Sequence, residues 1–316
     1  MRLAAVHPRL SGGRFCLSPG QQLRSARAGR ALTSPHLIVP ILLALLSALS
    51  YGVSDFIAGV MSREWDARLV TATAQVVGLA TAAVAVLLLP GQGPALQPIL
   101  WGALSGVGSA IGVLALYQGL AIASMSVVAP LCGVLTCVIP ATVGILLGNQ
   151  LTVTELTGIA LTVPAVGLVS CQRPTTAATG TRTGVPYGLA AGAGFGLLFV
   201  ALDQAGTHHG AWPLLPGQAI SLLLIAPFAR RGLKTARTPD RRTLVTTVAA
   251  GVLSAGANLL FLLATRHGEL AIVGVLSSLY PAGTVLIARV RLAEEWGRAQ
   301  VLGMLTAVLA VILVAA

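Results

Sequence analysis

From residue 37 to the C-terminus, apolar stretches of about 20 residues alternate with short polar breaks. Each stretch is long enough to cross about 30 Å of hydrocarbon as an α-helix. The runs are continuous rather than alternating, which excludes the strands of a membrane β-barrel. The stretches are 37–60, 68–89, 99–121, 126–147, 153–171, 185–206, 212–229, 243–265, 270–290 and 297–316. The expected fold is an all-α membrane protein with ten transmembrane helices. The breaks have local causes. Pro90-Gly91 and Pro94 end the second stretch, and Thr152-Val153-Thr154-Glu155 is a capping box that starts the fifth.

Charged residues make up only 9% of the chain, too few to cover the surface of a soluble domain of this length. The net charge of +11 would suggest nucleic acid as the partner of a soluble protein. Here the basic residues lie in the breaks and in the N-terminal tail, where they set the orientation of a membrane protein. Nucleic acid is therefore not an expected partner. Residues 1–36 hold Arg2, Arg9, Arg14, Arg24, Arg27 and Arg30 without any acid, and read as a disordered basic tail. Residues 172–184 read as a linker in the middle of the chain.

Cys16, Cys132, Cys137 and Cys171 lack metal or redox spacing and read as small buried side chains. No metal and no cofactor is expected. The single lysine, Lys234, follows Leu233, so a Gly-Lys phosphate-binding loop is absent. ATP hydrolysis by that route is excluded.

The chain repeats itself. A shift of 145 residues places Gly106-Val107 and Ser109-Ala110 on Gly251-Val252 and Ser254-Ala255. The same shift puts Val128 on Val273, Asn149 on Glu294 and Gly158 on Gly303, without a gap. The repeats are expected at 37–171 and 185–316, five helices each. An odd number of spans per repeat turns the second repeat upside down relative to the first. Inverted repeats are a plan of secondary transporters, with the substrate site between the halves near the midplane.

Several segments carry a family resemblance. Met125-Ser126-Val127-Val128-Ala129-Pro130 and Ser278-Leu279-Tyr280-Pro281-Ala282 resemble the drug/metabolite transporter superfamily, EamA type. Ser50-Tyr51-Gly52-Val53-Ser54-Asp55-Phe56 is similar to the opening of a bacterial branch of that family. The family's repeats carry a Glu-containing turn with a Gly nine residues later. Glu294 and Gly303 keep that spacing, whereas Asn149 stands at the acid's place before Gly158. The resemblance covers about residues 37–316. It implies a ten-helix exporter or importer of small metabolites, working by alternating access in the cell membrane.

Polar residues inside the spans mark the candidate site. A carboxylate within the bilayer is costly, so Asp55 should have a partner or face water. It either lines a cavity, where it attracts a cationic group or exchanges a proton, or is hydrogen-bonded at a helix end. Ser47, Tyr51 and Asp55 share one helix face. So do Gly251, Ser254 and Asn258, and likewise Ser277, Tyr280 and Thr284. Gln118 with Tyr117, and Gln75 with Thr71, add hydrogen-bonding groups. The expected substrate-binding residues are Asp55, Tyr51, Gln118, Ser254, Asn258 and Tyr280. Asp203 and His208-His209 read as part of a solvated loop. Glycines spaced by four (Gly102/Gly106, Gly108/Gly112 and Gly188/Gly192/Gly196) read as packing seams. Pro130, Pro140, Pro164 and Pro281 either bare backbone carbonyls to a cavity or kink helices for packing.

A secondary transporter of small metabolites or drug-like solutes is the first functional expectation. Its partners are a small molecule and the lipid bilayer, with a proton as candidate coupling ion and a monomer or homodimer as the assembly. An intramembrane enzyme and a non-catalytic membrane subunit are the alternatives. H-E-x-x-H, G-x-S-x-G and paired aspartates are all missing, which argues against catalysis. Orientation is open. The basic breaks favour exterior termini, whereas the resemblance implies cytoplasmic ones.

Overall fold

The computed structural model describes residues 35–316 except 90, 123–124, 171–180, 207, 234–237, 284–286, 288–296 and 316. Side chains at 35–37, 63, 120–122, 125–127, 129–130, 170, 181–183 and 315 are likewise not described. The basic tail, most of the linker, Cys16, Cys171, Lys234, Thr284, Glu294 and the side chain of Pro130 therefore lie outside the described residues.

The described residues form helices α1 (Pro35–Glu64), α2 (Ala67–Leu88), α3 (Leu96–Ile122), α4 (Met125–Leu146) and α5 (Val153–Ser170). Then come α6 (Thr181–Gln204), α7 (Leu214–Leu233), α8 (Arg241–Thr265), α9 (Leu270–Ser277) and α10 (Arg298–Ala315). No strand occurs among them. Five, namely α1, α2, α3, α6 and α8, contain segments long and apolar enough to cross a membrane. Shorter apolar helical segments lie at Leu131–Leu146, Val153–Val169, Leu270–Gly283 and Arg298–Val314.

Local chemistry starts and stops these helices. Thr152 and Glu155 form the expected capping box. The Glu155 backbone N–H donates to Thr152 Oγ1 at 3.2 Å, and the Thr152 N–H donates back to Glu155 Oε2. Asp240 caps α8 by accepting from the Thr243 N–H at 3.0 Å. That bonding holds the Asp240 carboxyl below its ordinary pKa, chiefly through the Thr243 side chain and then its backbone N–H. Asn149 Oδ1 accepts from the Ala271 N–H at 3.2 Å, so a neutral amide satisfies a donor in the first turn of α9. Among the described residues, the stretch expected as the ninth span is not one continuous helix. A turn at Ser278-Leu279 interrupts it before Tyr280, because Pro281 has no N–H to continue the helical ladder.

Glycines let the helices meet at backbone distance. A Cβ on Gly106 would collide with the Gly217 carbonyl of α7, and one on Gly251 would lie 2.8 Å from the Ala74 carbonyl of α2. Gly108 and Gly112 face Gly194, Phe195 and Leu198 of α6, and Gly188, Gly192 and Gly196 face α4. These are the packing seams that the spacing predicts. Pro140 also serves packing, against Gly274 of α9.

The pairing of helices has a regularity. α3 packs on α6 and α7, while α8 packs on α1 and α2. α4 packs on α6, and α9 on α1. α2 meets α7, α4 meets α9 and α5 meets α10. Replacing each helix by the one five places later returns these same pairs. The correspondence reaches single residues. Gly158 abuts Val314, and Gly303 abuts Val169, the same contact with both partners shifted by 145.

The outer surface is apolar. On α10, Leu302, Leu305, Val308, Leu309 and Ile312 are exposed, while Gly303, Ala307, Ala310 and Val314 face inward. An exposed leucine face of this kind suits hydrocarbon rather than water.

Candidate functional site

A cavity lies among helices α1, α2, α3, α4, α6 and α8. α1 contributes Tyr51, Ser54, Asp55 and Ala58, which lie about one turn apart on one face. α2 supplies Thr71, Ala74 and Gln75. α3 supplies Ser109, Val113 and Tyr117, and α8 supplies Ala250, Ser254 and Asn258, each set spaced by four. Phe195, Leu198 and Phe199 come from α6, Thr136 from α4, and Tyr280 from beyond the break after α9.

Asp55, Tyr51, Ser254, Asn258 and Tyr280 thus share one cavity, as the sequence suggested. Gln118 does not line it. It follows Tyr117 by one residue, about 100° around the helix, which turns it off the Ser109–Val113–Tyr117 stripe. Phe195 and Phe199 were not foreseen. They sit in a Gly/Ala/Leu-rich helix where an aromatic reads as ordinary packing.

Asp55 lies inside α1 rather than at its end, so it is not a capping acid. Among the described residues it makes no hydrogen bond or ion pair, and no Lys, Arg or His lines the cavity with it. The other polar groups are mostly tied to one another. Tyr51 donates to Asn258 Oδ1 at 2.6 Å, and Asn258 Nδ2 donates to the Ser254 carbonyl at 3.2 Å. Ser54 donates to the Ala250 carbonyl at 2.9 Å. Gln75 Nε2 reaches Ser109 Oγ at 3.5 Å, and Tyr280 Oη pairs with Cys132 Sγ at 3.3 Å. Four rings form an arc. Phe199 to Tyr51 is 6.0 Å between centroids, Tyr51 to Tyr280 is 6.3 Å, and Tyr280 to Phe195 is 6.4 Å.

Three pairs of positions that lie 145 residues apart face this one space. Ser109 and Val113 of α3 stand 145 residues before Ser254 and Asn258 of α8, and all four line the cavity. Ser54 and Phe199 are related in the same way.

Beyond the far end of α2, the loops after α2 and α6 interlock. The Gln92 N–H donates to the His208 carbonyl at 3.0 Å, His209 Nδ1 lies 3.0 Å from the Gly93 carbonyl, and Arg266 donates to the Gly210 carbonyl. His208 is exposed, in keeping with the loop expected there, whereas His209 is half-buried and Asp203 lies within the last turn of α6 rather than in a solvated loop.

Residues 182–316 match the model of the EamA-like transporter family. That match covers somewhat less than half of the chain, so the second part of the chain is similar to this family. The family lies within the drug/metabolite transporter superfamily. No curated protein matches the chain. A solved structure described only as a crystal structure of a protein is similar over 87% of this chain and 95% of its own, with 16% identity and a TM-score of 0.67. At that identity the likeness concerns the fold, and it extends across both halves.

Proposed function

We propose that this EamA-like protein is a secondary transporter that moves small metabolites or drug-like solutes across the cell membrane by alternating access. The cavity around Asp55 is its substrate site. The observation that carries this reading is the sharing of one cavity by matched positions, Ser109/Val113 and Ser254/Asn258. A site between two like halves can be exposed to either side by rocking one half against the other. In this reading all ten helices cross the bilayer, and 37–171 and 185–316 are repeats of opposite orientation. The interlocked loops after α2 and α6 seal one end. Asp55, Tyr51, Ser254, Asn258 and Tyr280 bind substrate, and no bond in it is made or broken. A proton is the candidate coupling ion.

Asp55 supports the reading from energetics. An acid inside a membrane helix costs a few kcal/mol or more unless water or a partner stabilises it. Asp55 lines a polar cavity without a protein partner among the described residues, so the expense is repaid only if the charge is used. Asp55→Asn keeps the shape and removes the charge. In proteoliposomes, a labelled-metabolite screen should find a solute that the parent chain carries and Asp55→Asn does not, or carries without pH dependence. Normal flux of every carried solute through Asp55→Asn, at every pH, would make Asp55 structural and defeat its assignment.

A further inference from the structure

We propose that the cavity is built for a monovalent organic cation, with an ammonium group held between Asp55 and the aromatic arc. This names the substrate class of the site above and rests on that reading. The first observation is charge. Among the described residues Asp55 is the one acid that lines the cavity, and no base lines it. A neutral or anionic solute would leave that carboxylate uncompensated, whereas one positive charge matches it. A second positive charge would have no counterpart.

The second observation is independent of charge balance. Tyr51 lies one turn before Asp55 on the same face of α1, and its ring continues into those of Phe199, Tyr280 and Phe195. Ring faces attract a cation within about 6 Å of their centroids, and rings gathered around an acid are how quaternary ammonium groups are recognised. Tyr51 is held by its hydrogen bond to Asn258, and Tyr280 by its contact with Cys132. The rings are therefore positioned before a ligand arrives, which lowers the ordering cost of binding.

The test uses the detergent-purified full chain and binding-induced thermal stabilisation. The probes are choline, benzyltrimethylammonium and tetrapropylammonium, with 3,3-dimethyl-1-butanol as the uncharged isostere of choline. The permanent charge of the cations separates cation recognition from simple protonation of Asp55. At least one cation should bind, and choline at least about tenfold more tightly than its isostere. Asp55→Asn should abolish that preference. Tyr280→Leu should weaken cation binding while Tyr280→Phe, which keeps the ring, retains it. Should either variant fail to fold, the comparison of choline with its isostere in the parent chain still decides. Equal binding of the two, no binding of any cation, or a preference that survives Asp55→Asn overturns the proposal. If a screened neutral or anionic solute is carried through the cavity, the cation reading fails and the transporter reading stands. If blocking the cavity leaves flux intact, the transporter reading fails whatever choline does.

Discussion

Gly158 on α5 touches Val314, and 145 residues later Gly303 on α10 touches Val169. Asp55 on α1 faces the cavity, and 145 residues later the chain has Val200, which does not. Along α3 and α8 the two kinds of position sit side by side. Ser109 matches Ser254, but Val113 matches Asn258. The glycine contacts at Gly106/Gly251 and Gly158/Gly303 and the serine pair Ser109/Ser254 are thus held in common, while Asp55 and Asn258 have apolar counterparts. Backbone contact between helices tolerates few residues, which suits the glycines kept at these two pairs of positions. A single cavity needs only one Asp55 and one Asn258, so their counterparts are free to differ.

The largest effect is expected where matched glycines meet backbone. Gly106→Leu and Gly251→Leu should each sharply reduce folded protein, measured as monodisperse material after detergent extraction. Gly106→Leu should be the more severe, because its side chain would meet the Gly217 carbonyl more closely than that of Gly251 meets Ala74. Normal yield of either variant would break the packing side of the comparison. Gly158→Leu and Gly303→Leu act on one helix pair, α5 against α10. Each should destabilise by roughly 1–3 kcal/mol in denaturant unfolding, with the double variant losing less than the sum of the two. Strict additivity would separate the two contacts.

The chemical side is sharpened by making the halves alike. Asn258→Val copies Val113 and removes the acceptor of Tyr51. It should lower flux strongly and stability by about 1–3 kcal/mol, since the phenol loses its partner. Val113→Asn should do much less, because no described polar group depends on Val113. Gln118→Leu should leave flux nearly unchanged while Tyr117→Ala reduces it, in keeping with Tyr117 alone lining the cavity. The smallest effect belongs to the α8 cap. The Asp240 carboxyl is held below its ordinary pKa, so its contribution to stability is present above about pH 4 and fades as pH falls through the lowered value. Asp240→Asn should flatten that acid-side dependence slightly in thermal unfolding and leave neutral-pH flux alone.

Much of this was readable from residue spacing. Apolar runs, four-residue glycine steps and the capping box are local patterns, and each maps onto a helix, a seam or a start. The members of the cavity were legible wherever a polar residue broke an apolar run, as at Asp55, Tyr51, Ser254 and Asn258. Gln118 was placed by type and not by angle, and one residue of offset took it off the stripe. Phe195 and Phe199 left no signal, because whether an aromatic packs or lines a space depends on helices distant in the chain. The interruption at Ser278-Leu279 was only half legible. Pro281 announces a broken ladder, but not that Tyr280 would be delivered to the cavity.

The central claim is that matched positions of the two halves face one transport path. Ser109→Trp and Ser254→Trp, made singly and reconstituted in proteoliposomes, test it most directly, since each puts an indole into the same cavity from an opposite half. The account predicts that both variants fold, extract and reconstitute like the parent chain and that both lose flux of any solute the parent carries. Parental flux through both well-folded variants would contradict it.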